Sequence, residues 1–258
     1  MIKKGVITSL LIFTAFILNG QSSIKTTEYT HWQVDNHGYI YLQSDHTIIK
    51  KDKTGKTIAS WNTSKNNAIS SFDATNTLRI LVFYLDSYQF SLLDKNLIDV
   101  SSNIDLTSST LNDIKAMCLS AKGDLWALDR QTNTIYSLQN NLNINYSFSI
   151  RLYCNADEVV KMTEYDQQLW LLQTDGSWIV LDSFGQLIKR HIFAGIEKAQ
   201  ISRNAIHFIS NDQLIEYNLQ LLSPDTIGTI KEPTKGCYIY NSNLYLFKDQ
   251  SIEILPKP

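Results

Sequence analysis

Histidines, cysteines and loop carboxylates are the side chains in this sequence able to hold a metal or attack a bond. His37 and His46 flank the apolar run Tyr39-Ile40-Tyr41-Leu42. A strand rising ~3.3 Å per residue puts them at opposite ends of one element, where they cannot share an ion. His207 lies inside the run Ile206-His207-Phe208-Ile209 and reads as a packed strand residue with its polar tip satisfied. For His31 and His191 the sequence offers no recognisable second metal ligand. Cys118 and Cys237 sit in apolar runs, where cysteine acts as a small buried hydrophobe, and Cys154 sits in a connecting loop. Three cysteines with no CxxC spacing make no disulfide framework and no redox motif. Asn112, Asp113, Asn155, Asp157 and Glu158 precede apolar runs. Carboxylates and amides of this kind, gathered around one ion, could activate water for hydrolysis. The sequence has no GxSxG elbow, HExxH pair, Walker loop, GxGxxG or EF-hand loop. The expectation is no catalytic residue, no cofactor and no metal ligand.

The elements that would position such groups are legible in residues 165–187. Leu169-Trp170-Leu171-Leu172 and Trp178-Ile179-Val180-Leu181 are joined by Thr174-Asp175-Gly176, and Asp182-Ser183-Phe184-Gly185 ends the second run. Two short aromatic and β-branched runs around an Asp-Gly turn predict a β-hairpin. The unit recurs, each time with an Asp just after its first apolar run: Asp45, Asp86, Asp129, Asp175, Asp212 and Asp249. The spacings are 41, 43, 46, 37 and 37 residues. A period near forty with several short strands predicts the blades of a propeller. A further apolar run precedes each unit, such as Ile114–Leu119, giving strands A, B, C and D per blade. The sixth unit ends near Leu255 with no room for strand D, and residues 23–27 are a spare strand ahead of the first. The fold class expected is all-β, a six-bladed β-propeller closed by an N-terminal strand that completes the last blade.

Residues 1–20 read as an export signal: Lys3 and Lys4, then an apolar stretch at 6–18, then Gly20 as a cleavage site. Residues 21–258 form the single propeller domain. Removing Lys3 and Lys4 takes the formal charge from −2 to −4, and no basic stripe favours nucleic acid. No later run is long and apolar enough to span a bilayer. The expected location is exported, periplasmic or outer-membrane-associated.

The elements Asn36-His37-Gly38-Tyr39-Ile40-Tyr41 and Lys122-Gly123-Asp124-Leu125-Trp126, with the turn Asp52-Lys53-Thr54-Gly55-Lys56, resemble the six-bladed propellers of the NHL and related repeat families. The resemblance covers most of the chain after residue 20 and implies a fold rather than an activity. The chain as a whole is similar to periplasmic accessory subunits of envelope machines, among them the plug of the type IX secretion translocon. That likeness implies a protein partner, an outer-membrane secretion complex.

Strands that alternate in direction put the D–A connections and B–C turns on one rim. That rim is the expected partner-binding face, carrying Asp45, Asp86, Asp129, Arg130, Asp157, Glu158, Asp175, Asp212 and Asp249. Its longer D–A loops are read at 100–113, 151–158 and 230–236. Long loops on a rigid scaffold are where binding resides, and a rim of acids favours a basic partner. The function expected is a non-enzymatic exported protein-binding propeller. The alternatives are a metal-dependent hydrolase or lactonase built on the loop carboxylates, and a carbohydrate binder using Trp126, Trp170 or Trp178.

Overall fold

The computed structural model describes residues 22–63, 67–76, 78–107, 111, 113–192, 199–202, 204–230 and 233–258. The expected export signal and Asn112 lie outside the described residues. Strand β1 (Ser22–Lys25) comes first. Blade 1 is β2 (His31–Val34), β3 (Ile40–Gln43), β4 (Thr47–Lys51) and β5 (Thr57–Asn62). Blade 2 is β6 (Ser71–Asp73), β7 (Arg79–Tyr84), β8 (Gln89–Asp94) and β9 (Asp99–Asp105). Blade 3 is β10 (Ile114–Leu119), β11 (Leu125–Asp129), β12 (Thr134–Leu138) and β13 (Ile144–Ser149). Blade 4 is β14 (Val159–Tyr165), β15 (Gln168–Gln173), β16 (Trp178–Leu181) and β17 (Leu187–His191). Blade 5 is β18 (Ala199–Ile201), β19 (Ala205–Ser210), β20 (Gln213–Asn218) and β21 (Ser223–Thr229). Blade 6 is β22 (Gly236–Tyr240), β23 (Asn243–Phe247) and β24 (Ser251–Pro256).

Blade 6 takes its fourth strand from the other end of the chain: β1 pairs antiparallel with β24, Ser22 opposite Ile254 and Lys25 opposite Ser251. The molecule is thus six four-stranded antiparallel sheets, with the closure expected from the sequence. The strand is Ser22–Lys25 rather than 23–27, and Thr26 adds one N–H to the Gln250 carbonyl at 2.9 Å. One loop reading needs correction. Val100–Asp105 is not part of a D–A loop but most of β9, because the polar run Ser101-Ser102-Asn103 alternates against β8 as an outer strand.

The apolar side chains form six cores, one between each pair of consecutive blades. Tyr41 and Ile48 of blade 1 pack with Ile80 and Val82 of blade 2, and Val34 and Ile40 pack with Tyr245 and Phe247 of blade 6. Each blade is covered on both faces, which is why its second strand reads as a continuous apolar run rather than an alternation. Strand β11 is buried at all five positions, whereas β13, at the blade's outer edge, is exposed at five of six.

The blades are also latched by polar side chains near the axis. Gln33 Oε1 accepts the Ala74 N–H at 2.8 Å, Asp73 Oδ2 the Leu119 N–H at 2.8 Å, and Gln200 Oε1 the Ile239 N–H at 2.6 Å. Each bond runs from the innermost strand of one blade to the next blade. Between blades 3 and 4 the direction reverses, and Glu164 Oε1 accepts the Ala121 N–H at 3.1 Å. These bonds satisfy N–H groups that no strand partner reaches, and leaving such a group bare costs about 1–3 kcal/mol.

Candidate interaction face

The D–A and B–C connections form what is here termed the upper rim, and the A–B and C–D turns the lower rim. Asp45, Asp86, Asp175, Asp212 and Asp249 are exposed in B–C turns of the upper rim. Asp129 is not. It is the last residue of β11, fully buried, and its carboxylate accepts the Thr132 N–H at 2.8 Å and the Asp113 N–H at 3.4 Å. It follows its apolar run directly, at the place of Gln173 in blade 4 and two residues ahead of Asp175, so it ends the strand beneath the rim and closes the turn.

The exposed acids do not make a uniformly negative ring. Arg130 forks onto Asp113, with Nε to Oδ2 at 2.8 Å and Nη2 to Oδ1 at 2.9 Å, and lies 3.7 Å from Asp157. Lys235 stands 3.3 Å from Asp249, itself 88% exposed. Asp175 receives the Ser177 N–H at 2.8 Å, and its carboxyl is held below the ordinary range chiefly by that bond. Turn chemistry and local ion pairs therefore absorb part of the charge, and exposed pairs of this kind contribute little stability.

The rim's most built feature is the D–A loop at 151–158, between β13 and β14. Asn155 caps a short 3-10 turn, Ala156–Glu158, by accepting the Asp157 N–H at 3.1 Å. Side chains from elsewhere on blades 3 and 4 pin the rest. Asn133 Oδ1 accepts the Ala156 N–H at 2.7 Å, and Gln173 Nε2 donates to Glu158 at 3.1 Å. Lys115 Nζ donates to the Asp157 carbonyl and Arg190 Nη2 to the Tyr153 carbonyl. Register shifts next to Lys115 in β10 and Val160 in β14 mark an extra residue at the upper end of each innermost strand, the place where bulges re-aim side chains. Out of this fixed loop Leu152 projects into water, 90% exposed, and Ile192 at the end of β17 is 77% exposed.

Among the described residues the groups read as able to do chemistry do not come together. Among the described residues no three His, Cys, Asp or Glu side chains group as a metal site. Asp113 and Asp157 are drawn together, but around Arg130. His207 is buried, with Nε2 2.8 Å from Glu216 Oε2; burial lowers its pKa, and its buried Nδ1 meets no partner among the described residues. Burial pushes the Cys154 thiol up to about 11 and Cys237 to about 12, and raises Cys118 well above the thiol range. None is a ready thiolate. Trp126, Trp170 and Trp178 are 3%, 4% and 0% exposed, so they offer no surface for a sugar ring.

On the lower rim the C–D turns of blades 1, 2 and 4 share one form. Asp52 accepts the N–H groups of Thr54 and Lys56, Asp94 those of Asn96 and Ile98, and Asp182 those of Phe184 and Gln186, all between 2.8 and 3.0 Å. These bonds hold the Asp52 and Asp94 carboxyls below the usual range, through the Thr54 hydroxyl first for Asp52 and the Ile98 N–H first for Asp94.

No family model and no curated protein matches the sequence. Solved structures do match it. A streptogramin B lyase superposes with a TM-score of 0.58 at 15% identity, over 86% of this chain and 77% of that one. Virginiamycin B lyase from Staphylococcus aureus gives 0.57 at 12% identity, over 87% and 79%. The WD40 domain of Neurospora crassa Pan2 gives 0.58 at 10% identity, over 90% of each chain. At these identities the likeness is one of fold, and the class is the β-propeller.

Proposed function

We propose that this chain is a non-enzymatic, exported β-propeller that docks a protein partner on its upper rim, as an accessory subunit of an envelope or protein-secretion complex. The NHL-type and translocon-plug resemblances belong to this reading. The observation that carries it is Leu152. A 90% exposed leucine on a loop tied down by side chains from two blades serves no purpose in packing. It presents an apolar anchor on a preorganised support, which reduces the ordering cost of association. Val160 at the upper end of β14 and Ile192 just after β17, 55% and 77% exposed, add apolar surface to the same rim.

The test is a photo-crosslinking residue in place of Leu152, activated in envelope extracts, with the same probe at Lys53 on the lower rim as control. The reading expects a discrete crosslinked protein species from position 152, lost when Ile192→Asp is added. Equal, diffuse labelling from both positions would overturn it.

A further inference from the structure

The C–D turn of blade 4 departs from its siblings at its third position, and it has Ser183 where they have Lys53 and Lys95. Blades 1, 2 and 4 share the turn in which an Asp accepts the N–H groups two and four residues on. The third position of that turn is Thr54 in blade 1, Asn96 in blade 2 and Phe184 in blade 4. The turn does not require an aromatic ring there. Packing does not either, since Phe184 is 74% exposed. Its ring lies 6.4 Å from that of Tyr146 on β13, which stands edge-on to Trp126 at 5.8 Å. Gly185, with φ +84°, fixes the turn against Phe148, so Phe184 is held out rather than loose.

Carboxylates surround this aromatic pair at the mouth of the cleft between blades 3 and 4. Glu164 takes the Trp126 Nε1–H at 2.5 Å, Asp124 takes Asn145 Nδ2 at 3.1 Å, and Asp182 closes the Phe184 turn. Burial raises the pKa of the Tyr146 hydroxyl, a bond with Ser137 opposes that, and Glu164, Asp124 and Asp182 add smaller upward contributions. Asp166 is exposed in the adjoining A–B turn, and Lys122, in the turn that holds Asp124, is the basic side chain there. Each carboxylate has about four acceptor positions, so the bonds above leave capacity for another donor.

The neighbouring mouth shows what such a place accepts. Between blades 2 and 3, Arg79 at the start of β7 reaches across to the Gly123 carbonyl at 2.9 Å and Asn140 Oδ1 at 3.0 Å. Aligning Ile80 with Leu125 puts Asp124 where blade 2 has Arg79. At the mouth between blades 3 and 4 the chain supplies an acid in place of its own arginine.

We propose that Phe184 and Tyr146, with Asp124, Glu164 and Asp182, form a second docking site that receives an arginine side chain from a partner protein. The guanidinium lies against the aromatic faces and donates to the carboxylates, a surface cation–π contact reinforced by charge. This inference rests on the reading that the protein binds a protein partner, and it adds a second, lower-rim contact of defined chemistry.

The probe is a fluorescein-labelled pentapeptide, Gly-Ile-Arg-Ile-Gly, titrated by anisotropy against the full chain, with citrulline and glutamate versions as controls. Citrulline keeps the shape and removes the charge. The arginine peptide is expected to bind at least tenfold more tightly than either control. Phe184→Thr, which installs the blade 1 residue, removes that advantage with the melting curve unchanged, and Phe184→Trp keeps it. Asp86→Lys with Asp175→Lys on the upper rim leaves it unaltered. Equal binding of the arginine and citrulline peptides, no binding by any peptide, or full binding by Phe184→Thr overturns the proposal. Self-association of the chain that Phe184→Thr abolishes overturns it too, since the occupant is then a second copy. Crosslinking at position 152 separates the two readings. A crosslinked partner without arginine binding sinks this inference alone, and arginine binding with no protein captured from either rim sinks the protein-binding reading.

Discussion

The two rims of the ring solve the same connection problem by different means. The lower rim repeats a template in the C–D turns of blades 1, 2 and 4: an Asp satisfies two N–H groups and a left-handed residue completes the turn, as Gly55 and Gly185 do with φ +87° and +84°. Its shape is decided within five residues, so any departure from the template stands out, as Phe184 does. The upper rim has no template. Its D–A loops differ from blade to blade, and the one at 151–158 owes its shape to Lys115, Asn133, Gln173 and Arg190, which come from four other elements or turns. A rim built from local rules shows its function as an exception to those rules. A rim built from long-range bonds shows it as a side chain, here Leu152, that the bonds leave out.

The comparison presupposes a closed ring, and breaking the ring carries the largest expected effect. Deleting residues 22–25 bares the edge of β24 and uncovers the core around Ile252 and Phe247. At 2–4 °C per kcal/mol for a domain of this size, a fall in melting temperature of roughly 10 °C or more is expected by scanning calorimetry. An unchanged transition would show that both rims stand without closure.

Two glycine substitutions test how local the lower rim is. A Cβ at Gly185 would meet Phe148 Cδ2 at 2.3 Å, whereas one at Gly123 meets nothing within 4 Å, although both have positive φ. Gly185→Ala is expected to cost about 2–4 kcal/mol in denaturant unfolding, from strain plus overlap, and Gly123→Ala about 1 kcal/mol from strain alone. Equal costs would mean that backbone strain dominates and neighbouring blades do not press on the turn.

The upper rim yields a smaller contrast. Asp129→Ala leaves the part-buried N–H groups of Thr132 and Asp113 without that acceptor and is expected to cost about 1–3 kcal/mol. Asp175→Ala, at an exposed turn, is expected to cost under about 1 kcal/mol. A reversed order would place Asp129, not Asp175, among the surface acids.

The smallest effect is one of pH. His191 ends β17 beneath the upper rim, stacked on Trp170 with ring centroids 5.8 Å apart. Burial, aided by Lys189, lowers its pKa from 6.5 to about 4. Between these values the unfolded chain binds a proton that the folded protein refuses, so stability falls as pH drops from 6.5 towards 4. Above 6.5 the group has no effect. His191→Phe is expected to flatten that acid limb, measured as unfolding midpoint against pH. A limb of the same slope in the variant would assign it to other groups, with His207 and Glu216 next in line.

The sequence by itself determined the repeat, the strands and the closure. Buried strands on both faces must be continuously apolar, tight turns need Asp, Asn or Gly, and a missing last strand must be supplied from elsewhere; each is a short-range demand written in adjacent residues. It also fixed which rim each acid belongs to, since strand direction alternates without exception. It misjudged Asp129 and the loop at 100–105 because exposure and strand ends depend on one or two residues of register. It passed over Gln33, Asp73 and Gln200, whose recurrence shows when the innermost strands rather than the B–C turns are aligned. Leu152 and Phe184 were beyond its reach. Whether a leucine in a loop or a phenylalanine in a turn is covered depends on what the neighbouring blade places opposite it. That is a contact between residues tens of positions apart, decided only when the ring has closed.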